Sequence, residues 1–327
     1  MIDQIEITKE QSDSKATEAI IAAFLAIWIF GIMAILIRWS ENEISPTATM
    51  FNRCWIAAVI FGVWQELSLL RQRWLGKQPI IKQSFNTKQI LLLTVTAAFL
   101  CGTQILWAWS LTQTSVANSA LIHSLTPLFT VLVGYLLFNQ RFDYKFLIGL
   151  AIAMVGTIAL GLNDLQVASI KLQGDLLALL SALLWGAYLL AVEKLRTQLS
   201  VTTILTWVCR IGTGFYLLIL FTTHDEWFPQ SWHGWLSVIA LALTLIFANG
   251  LLAYSLKYLP SSLVAMINLL DPVVSAFLAW IIFAEALSWL NLLDFAIIML
   301  GLYLAITSEQ ESNDQMNEFK ESNISNI

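Results

Sequence analysis

The chain has 327 residues, 58% of them hydrophobic and only 12% charged, with a mean hydropathy of +0.73 and a formal net charge of −5. Soluble domains carry about 25% charged residues, so a soluble globule is excluded. With no basic stripe, a nucleic-acid binder is excluded as well.

Met1–Thr17 carries four acidic residues and two lysines, which is not the pattern of a secretory leader. Residues 1–18 are expected to form a disordered cytoplasmic segment, because they hold too few apolar residues to pack. A membrane-crossing helix needs about 20 mostly apolar residues, at 1.5 Å each across about 30 Å of hydrocarbon. Segments of that kind run over 19–38, 47–69, 90–111, 116–138 and 145–162. After a linker at 163–174 come 175–195, 201–222, 235–256, 261–283 and 290–307, and then a polar, disordered cytoplasmic end at 308–327. Cys54, Cys101 and Cys209 all fall inside these apolar blocks and read as small hydrophobes, not as a disulfide framework. With the N-terminus inside, 13 lysines and arginines fall in cytoplasmic segments and two outside, leaving aside Arg53 and Arg210 within spans. Positive charge accumulates on the cytoplasmic side, so both termini are expected there.

The chain also resembles itself. Shifted by 145 residues, 107–162 aligns with 252–307 without a gap, giving 13 identities in 56 positions. Ser110 on Ser255, Pro127 on Pro272 and Gly156 on Gly301 carry the weight, since apolar identities arise from composition alone. Further forward, Phe30-Gly31 sits loosely against Trp185-Gly186, and Arg53 against Arg210. Two units follow, 19–162 and 175–307, each of five helices. Five is odd, so the second unit enters the membrane from the opposite side. Such inverted repeats are common in secondary transporters, whose substrate sites lie near the midplane between the halves. The expected fold class is therefore an all-α integral membrane protein, ten transmembrane helices in two inverted five-helix repeats with both ends in the cytoplasm.

WAWSLTQTSVANSALIHSLTPLFTVLVGYLLFNQRF at 107–142 and LAYSLKYLPSSLVAMINLLDPVVSAFLAWIIFAEAL at 252–287 are each followed by a Gly-bearing apolar helix. This pattern resembles the EamA-type branch of the drug/metabolite transporter superfamily over about 20–307. Glu285 matches the family's acidic position in the second half, while the first half departs from it with Gln140. The resemblance implies ten helices moving small metabolites. It also implies a central cavity lined by the first, third, fourth, sixth, eighth and ninth.

Charged and polar residues at bilayer depth need a partner or a wet cavity. Arg53 and Arg210 hold related places in the second helix of each half, either as structural pairing groups or as contacts for a substrate carboxylate. His123 and Asn268 are equivalent under the shift, and one turn on stand Thr126 and Asp271, just before the prolines. A proline frees the carbonyl four residues earlier, so each half places a polar side chain beside an unpaired acceptor. Pro127 and Pro272 are the expected bending points. Gln104 and Asn249 form a third pair, with Trp109 and Tyr254 further along the same helices. Trp28, Trp185 and Tyr188 add aromatic surface deep in the first and sixth segments. These residues are the candidate substrate contacts, and interhelical packing is the plain alternative for each. His123 or Asp271 is also a candidate carrier of a coupling proton. Small residues in the fifth and tenth segments (Gly149, Ala153, Gly156; Ala296, Gly301, Ala305) let backbones approach closely, within the chain or in a homodimer.

The leading expectation is a secondary transporter of a small organic metabolite, amino acid-like or drug-like. It is expected to work by alternating access as an exporter, multi-pass in the bacterial inner (plasma) membrane. The alternatives are a polytopic membrane enzyme, or a channel or receptor on the same scaffold. No HExxH or GxxxxGK[ST] occurs, and no two of His123, His224 and His233 share an intramembrane helix. No cofactor or metal is expected. The partners are the small-molecule substrate and the lipid bilayer.

Overall fold

A computed structural model describes residues 2–74, 85–114, 116–164, 172–223, 226–274, 277–278 and 289–325. Glu285, Lys77, Lys82, Lys171, His224 and the far end of the ninth segment lie outside these residues. Every regular element among those described is helical. The first apolar segment is held by α1 (Ile2–Gly31) and α2 (Met33–Glu41), and then come α3 (Pro46–Trp74) and α4 (Thr87–Gln113). The fourth segment is broken into α5 (Val116–His123) and α6 (Thr126–Phe138), followed by α7 (Tyr144–Asp164). The second half comprises α8 (Leu172–Arg196), α9 (Val201–Leu220), α10 (Trp232–Ser255), and α11 (Ser261–Ile267) with a 3-10 turn at Asn268–Leu270. It closes with α12 (Trp289–Ser325).

Among the described residues seven stretches are long and apolar enough to cross a membrane: Ser14–Gly31, Thr87–Gln113, Ser119–Phe138, Leu172–Arg196, Val201–Leu220, Trp232–Ser255 and Trp289–Ser308. Tyr144–Leu160 and Ser261–Val274 are shorter apolar helices. At 29 residues α3 is long enough, but Asn52 and Arg53 interrupt its apolar run. Helix α1 begins at Ile2 and α12 ends at Ser325. Extending an existing helix costs far less than nucleating one, and the Glu, Gln and Lys of their terminal stretches are good helix formers.

The helices pack in matched pairs. Helix α4 lies on α8 as α1 lies on α10; α4 meets α9 as α10 meets α3; α5 meets α7 as α11 meets α12. Exchanging the two halves carries each contact onto its mate, while α3–α9 and α7–α12 map onto themselves. Glycines permit two further approaches. A Cβ on Gly31 of α1 would fall 3.0 Å from Val274 Cγ1, beside the break in the ninth segment. One on Gly186 of α8 would fall 2.8 Å from Thr130 Oγ1, beside the break in the fourth. Helices α7 and α12 also touch backbone to backbone: a Cβ on Gly149 would lie 2.6 Å from the Gly301 carbonyl oxygen. The small-residue stripes therefore meet within one chain.

Polar side-chain ties join the helices: Glu43 with Ser231, Thr114 with Asp175 (2.9 Å), Glu18 with Tyr254 (3.0 Å), Gln89 with Gln198 (3.0 Å), and Asp143 with Ser308 (2.9 Å). The hydroxyl and backbone N–H of Ser231 both donate to Glu43, at the N-terminus of α10, and hold its carboxyl below the usual carboxylate range. A carboxyl depressed by folding stabilises at pH above its ordinary value, and that contribution is lost as pH falls through the folded value. Glu43→Gln should therefore melt below the parent at pH 7, with the difference closing on acidification below about pH 4. Equal melting temperatures at pH 7 would remove this tie from the fold's support.

Candidate functional site

The junction of the two halves is polar and aromatic. Ser181 on α8 and Thr103 on α4 each donate a hydroxyl hydrogen bond to the other's carbonyl at 2.8 Å. Such an exchange satisfies both hydroxyls without water and fixes α4 against α8. His123, closing α5, brings Nδ1 to 3.3 Å from Ser181 Oγ, and its ring stands 6.0 Å from Trp107. One turn along α8, Trp185 stacks on Tyr188 with ring centroids 5.0 Å apart and receives Phe30 of α1 edge-on at 5.8 Å. Phe30 and Trp185 are the residues that the internal alignment equates, so the halves touch through related positions. The Tyr188 hydroxyl donates to Asn249 Oδ1 on α10 at 3.1 Å.

Arg53 points into the protein. It is fully buried, its Nε donates to the Leu241 carbonyl on α10 at 3.1 Å, and it lies within electrostatic range of Cys54, Tyr216, Cys209 and, less closely, Tyr188. Nη1 and Nη2 have no hydrogen-bond partner. The same holds for other buried atoms, among them the donors Asn249 Nδ2 and Trp107 Nε1 and the acceptors Gln104 Oε1, Asn268 Oδ1 and Asp271 Oδ1. A buried polar group left unmet costs about 1–3 kcal/mol, more when charged. These atoms lie on helices of both halves.

The prolines sit at real breaks, but the carbonyls they free are paired. Thr126 Oγ1 donates to the His123 carbonyl at 2.7 Å, and the Asp271 N–H donates to that of Asn268. The expectation of open backbone acceptors is corrected accordingly: at membrane depth a carbonyl without a donor is too costly, and the residue before each proline supplies one. Four other candidates stand apart from the junction. Trp28 is 42% exposed and meets Phe277 edge-on, and Trp109 is exposed. Arg210 faces outward with its guanidinium 5.7 Å above the Trp207 ring. Tyr254 donates to Glu18 on α1. Reading the sequence missed Phe30 and Ser181. Phe30 was marked by its alignment with Trp185, whereas one serine in an apolar helix carries no signal. Among the described residues no group of three His, Cys, Asp or Glu could hold a metal ion.

A multi-pass helical bundle with a polar junction between related halves is the architecture of a membrane transporter. The EamA-like transporter family model matches twice, over residues 17–162 and 172–307. The chain belongs to that family. It is 21% identical over 303 residues to an uncharacterised transporter, YxxF, of Bacillus subtilis (strain 168), covering 91% of this chain and 93% of that one. It is also 26% identical over 199 residues to a probable amino-acid metabolite efflux pump of Salmonella typhimurium, covering 58% and 66% respectively. A crystal structure at 20% identity shares the fold with a TM-score of 0.68, over 88% of this chain and 97% of the other.

Proposed function

We propose that this protein is a secondary carrier that exports small amino-acid-like metabolites across the inner membrane by alternating access. The ten-segment, inverted reading with both termini inside is supported by packing contacts that interchange when the halves are swapped. The polar ties between helices agree with it, since segments crossing in alternate directions would put the two partners of each tie on a common face.

The observation that carries the substrate reading is the set of unmet hydrogen-bonding atoms of both kinds on helices of both halves. Arg53 and Asn249 offer donors suited to a carboxylate, and Asn268 and Asp271 offer acceptors suited to an ammonium group. The name of the Salmonella relative points the same way. Purified protein in liposomes loaded with an amino acid mixture should show saturable counterflow of labelled amino acid. Unsaturable current would indicate a channel, and formation of a new product an enzyme.

Two expectations concern the cycle. With both prolines replaced by alanine, the i to i−4 hydrogen bonds can re-form and straighten the breaks. P127A/P272A should thus insert normally and exchange substrate several-fold more slowly; unchanged exchange would remove the hinge role. A coupling proton on His123 or Asp271 predicts that H123Q/D271N loses flux driven by a pH gradient by a larger factor than it loses counterflow. If gradient-driven flux survives in that variant, neither residue carries the proton.

A further inference from the structure

The three cysteines, unrelated in sequence position, meet at one place. Cys54 of α3, Cys101 of α4 and Cys209 of α9 are buried free thiols. The Cys54 and Cys101 side chains lie next to one another. Gly212 of α9 lies against both: a Cβ there would fall 2.8 Å from Cys101 Sγ and 3.6 Å from Cys54 Sγ. The Tyr216 hydroxyl donates to the Cys101 carbonyl at 2.9 Å and holds this part of α4 against α9.

Beside the thiols is an apolar cavity of about 360 Å³ between α4 and α9, whose lining includes Ala98, Cys101, Gly102 and Tyr216. Two further lining residues, Leu218 and Ile219, are 66% and 37% exposed. The mouth therefore opens on the outer surface of the bundle, which in a bilayer faces lipid, while Cys101 and Tyr216 form the floor. Of the three cysteines, Cys101 alone lines the cavity.

We propose that Cys101 is a modification site for lipophilic hydroperoxides that reach it from the bilayer through this cavity, with Cys54 as the resolving thiol. The Cys101 sulfur attacks the peroxide. A sulfur–oxygen bond forms, the oxygen–oxygen bond breaks, and the alcohol leaves with the thiol proton. Cys54 then attacks the resulting sulfenic acid: the sulfur–sulfur bond forms, the sulfur–oxygen bond breaks, and water leaves with the second proton. In sum, two thiols and one hydroperoxide give a disulfide, an alcohol and water, two electrons passing from sulfur to oxygen. The product ties α3 to α4.

The test uses membranes containing the full chain, treated with cumene hydroperoxide, alkylated, and mapped by mass spectrometry of the digested peptides. A Cys54–Cys101 disulfide is expected in the parent and in C209S. In C54S a sulfenic acid on Cys101 should be trapped by dimedone, and in C101S neither product should form. A98F, which places a ring at the cavity mouth, should slow the oxidation at least tenfold without moving the elution of the folded protein. Free Cys54 and Cys101 after treatment would overturn the proposal, as would a disulfide involving Cys209 in their place.

Discussion

R53M is expected to cut transport at least about tenfold while leaving the protein as stable as the parent, or more stable. The transport loss follows from the two free guanidinium donors. Hydrogen bonds to charged groups contribute about 1.5–3 kcal/mol each, and about 1.4 kcal/mol is a factor of ten in binding. The stability expectation follows from burial: a charge without a partner at the centre of a bundle costs energy that methionine, of similar length, does not. The one bond lost, Nε to the Leu241 carbonyl, leaves that oxygen still accepting from Thr244 Oγ1 at 2.8 Å. Measuring counterflow per folded molecule beside the melting temperature separates the two roles open to this arginine. If R53M melts well below the parent and transports normally once folded, Arg53 is a structural brace. R53K should also transport poorly, because an ammonium cannot present two parallel donors to a carboxylate.

The second large effect is expected at the α7–α12 crossing. A side chain at Gly301 would run into the Ala153 nitrogen and the Gly149 carbonyl oxygen. Those are backbone atoms of a helix and cannot rotate aside, so the cost should reach the upper end of the overpacking range, about 3 kcal/mol. G301V should show a clearly lower melting temperature, or fail to yield a folded peak on size exclusion. Gly214 is the control. A Cβ there meets nothing within 4 Å, and alanine favours helix over glycine, so G214A should melt at or above the parent. Equal behaviour of G301V and G214A would mean that α7 and α12 do not touch through these glycines.

Much of the fold was legible in the residue string. The helical, apolar character of the chain, its duplication, and the helix breaks at Pro127 and Pro272 are found among the described residues. The breaks themselves were half legible. A proline frees a carbonyl by covalent geometry, which can be read off; that Thr126 and the Asp271 N–H would fill the gaps could not. Among the candidate site residues, His123, Trp185, Tyr188, Asn249 and Arg53 proved to lie inward, and Trp28, Trp109 and Arg210 did not. The Arg53–Arg210 pair is the clearest case. Alignment puts them in equivalent places, yet one is sealed inside and the other lies over Trp207 on the outer surface.

By itself the sequence determined that this is a helical membrane protein built from a duplicated unit, because transfer into lipid is close to a sum over residues and repetition is a property of order. Tertiary structure alone decided which face of each helix looks inward. In water an apolar stripe marks the buried side, but here the lipid is as apolar as the core. Most helices are apolar all round, and rotation about their axes is set by what they touch. That is why the inward turn of Arg53, the Ser181–His123 contact and the meeting of three thiols became visible only when the helices were packed.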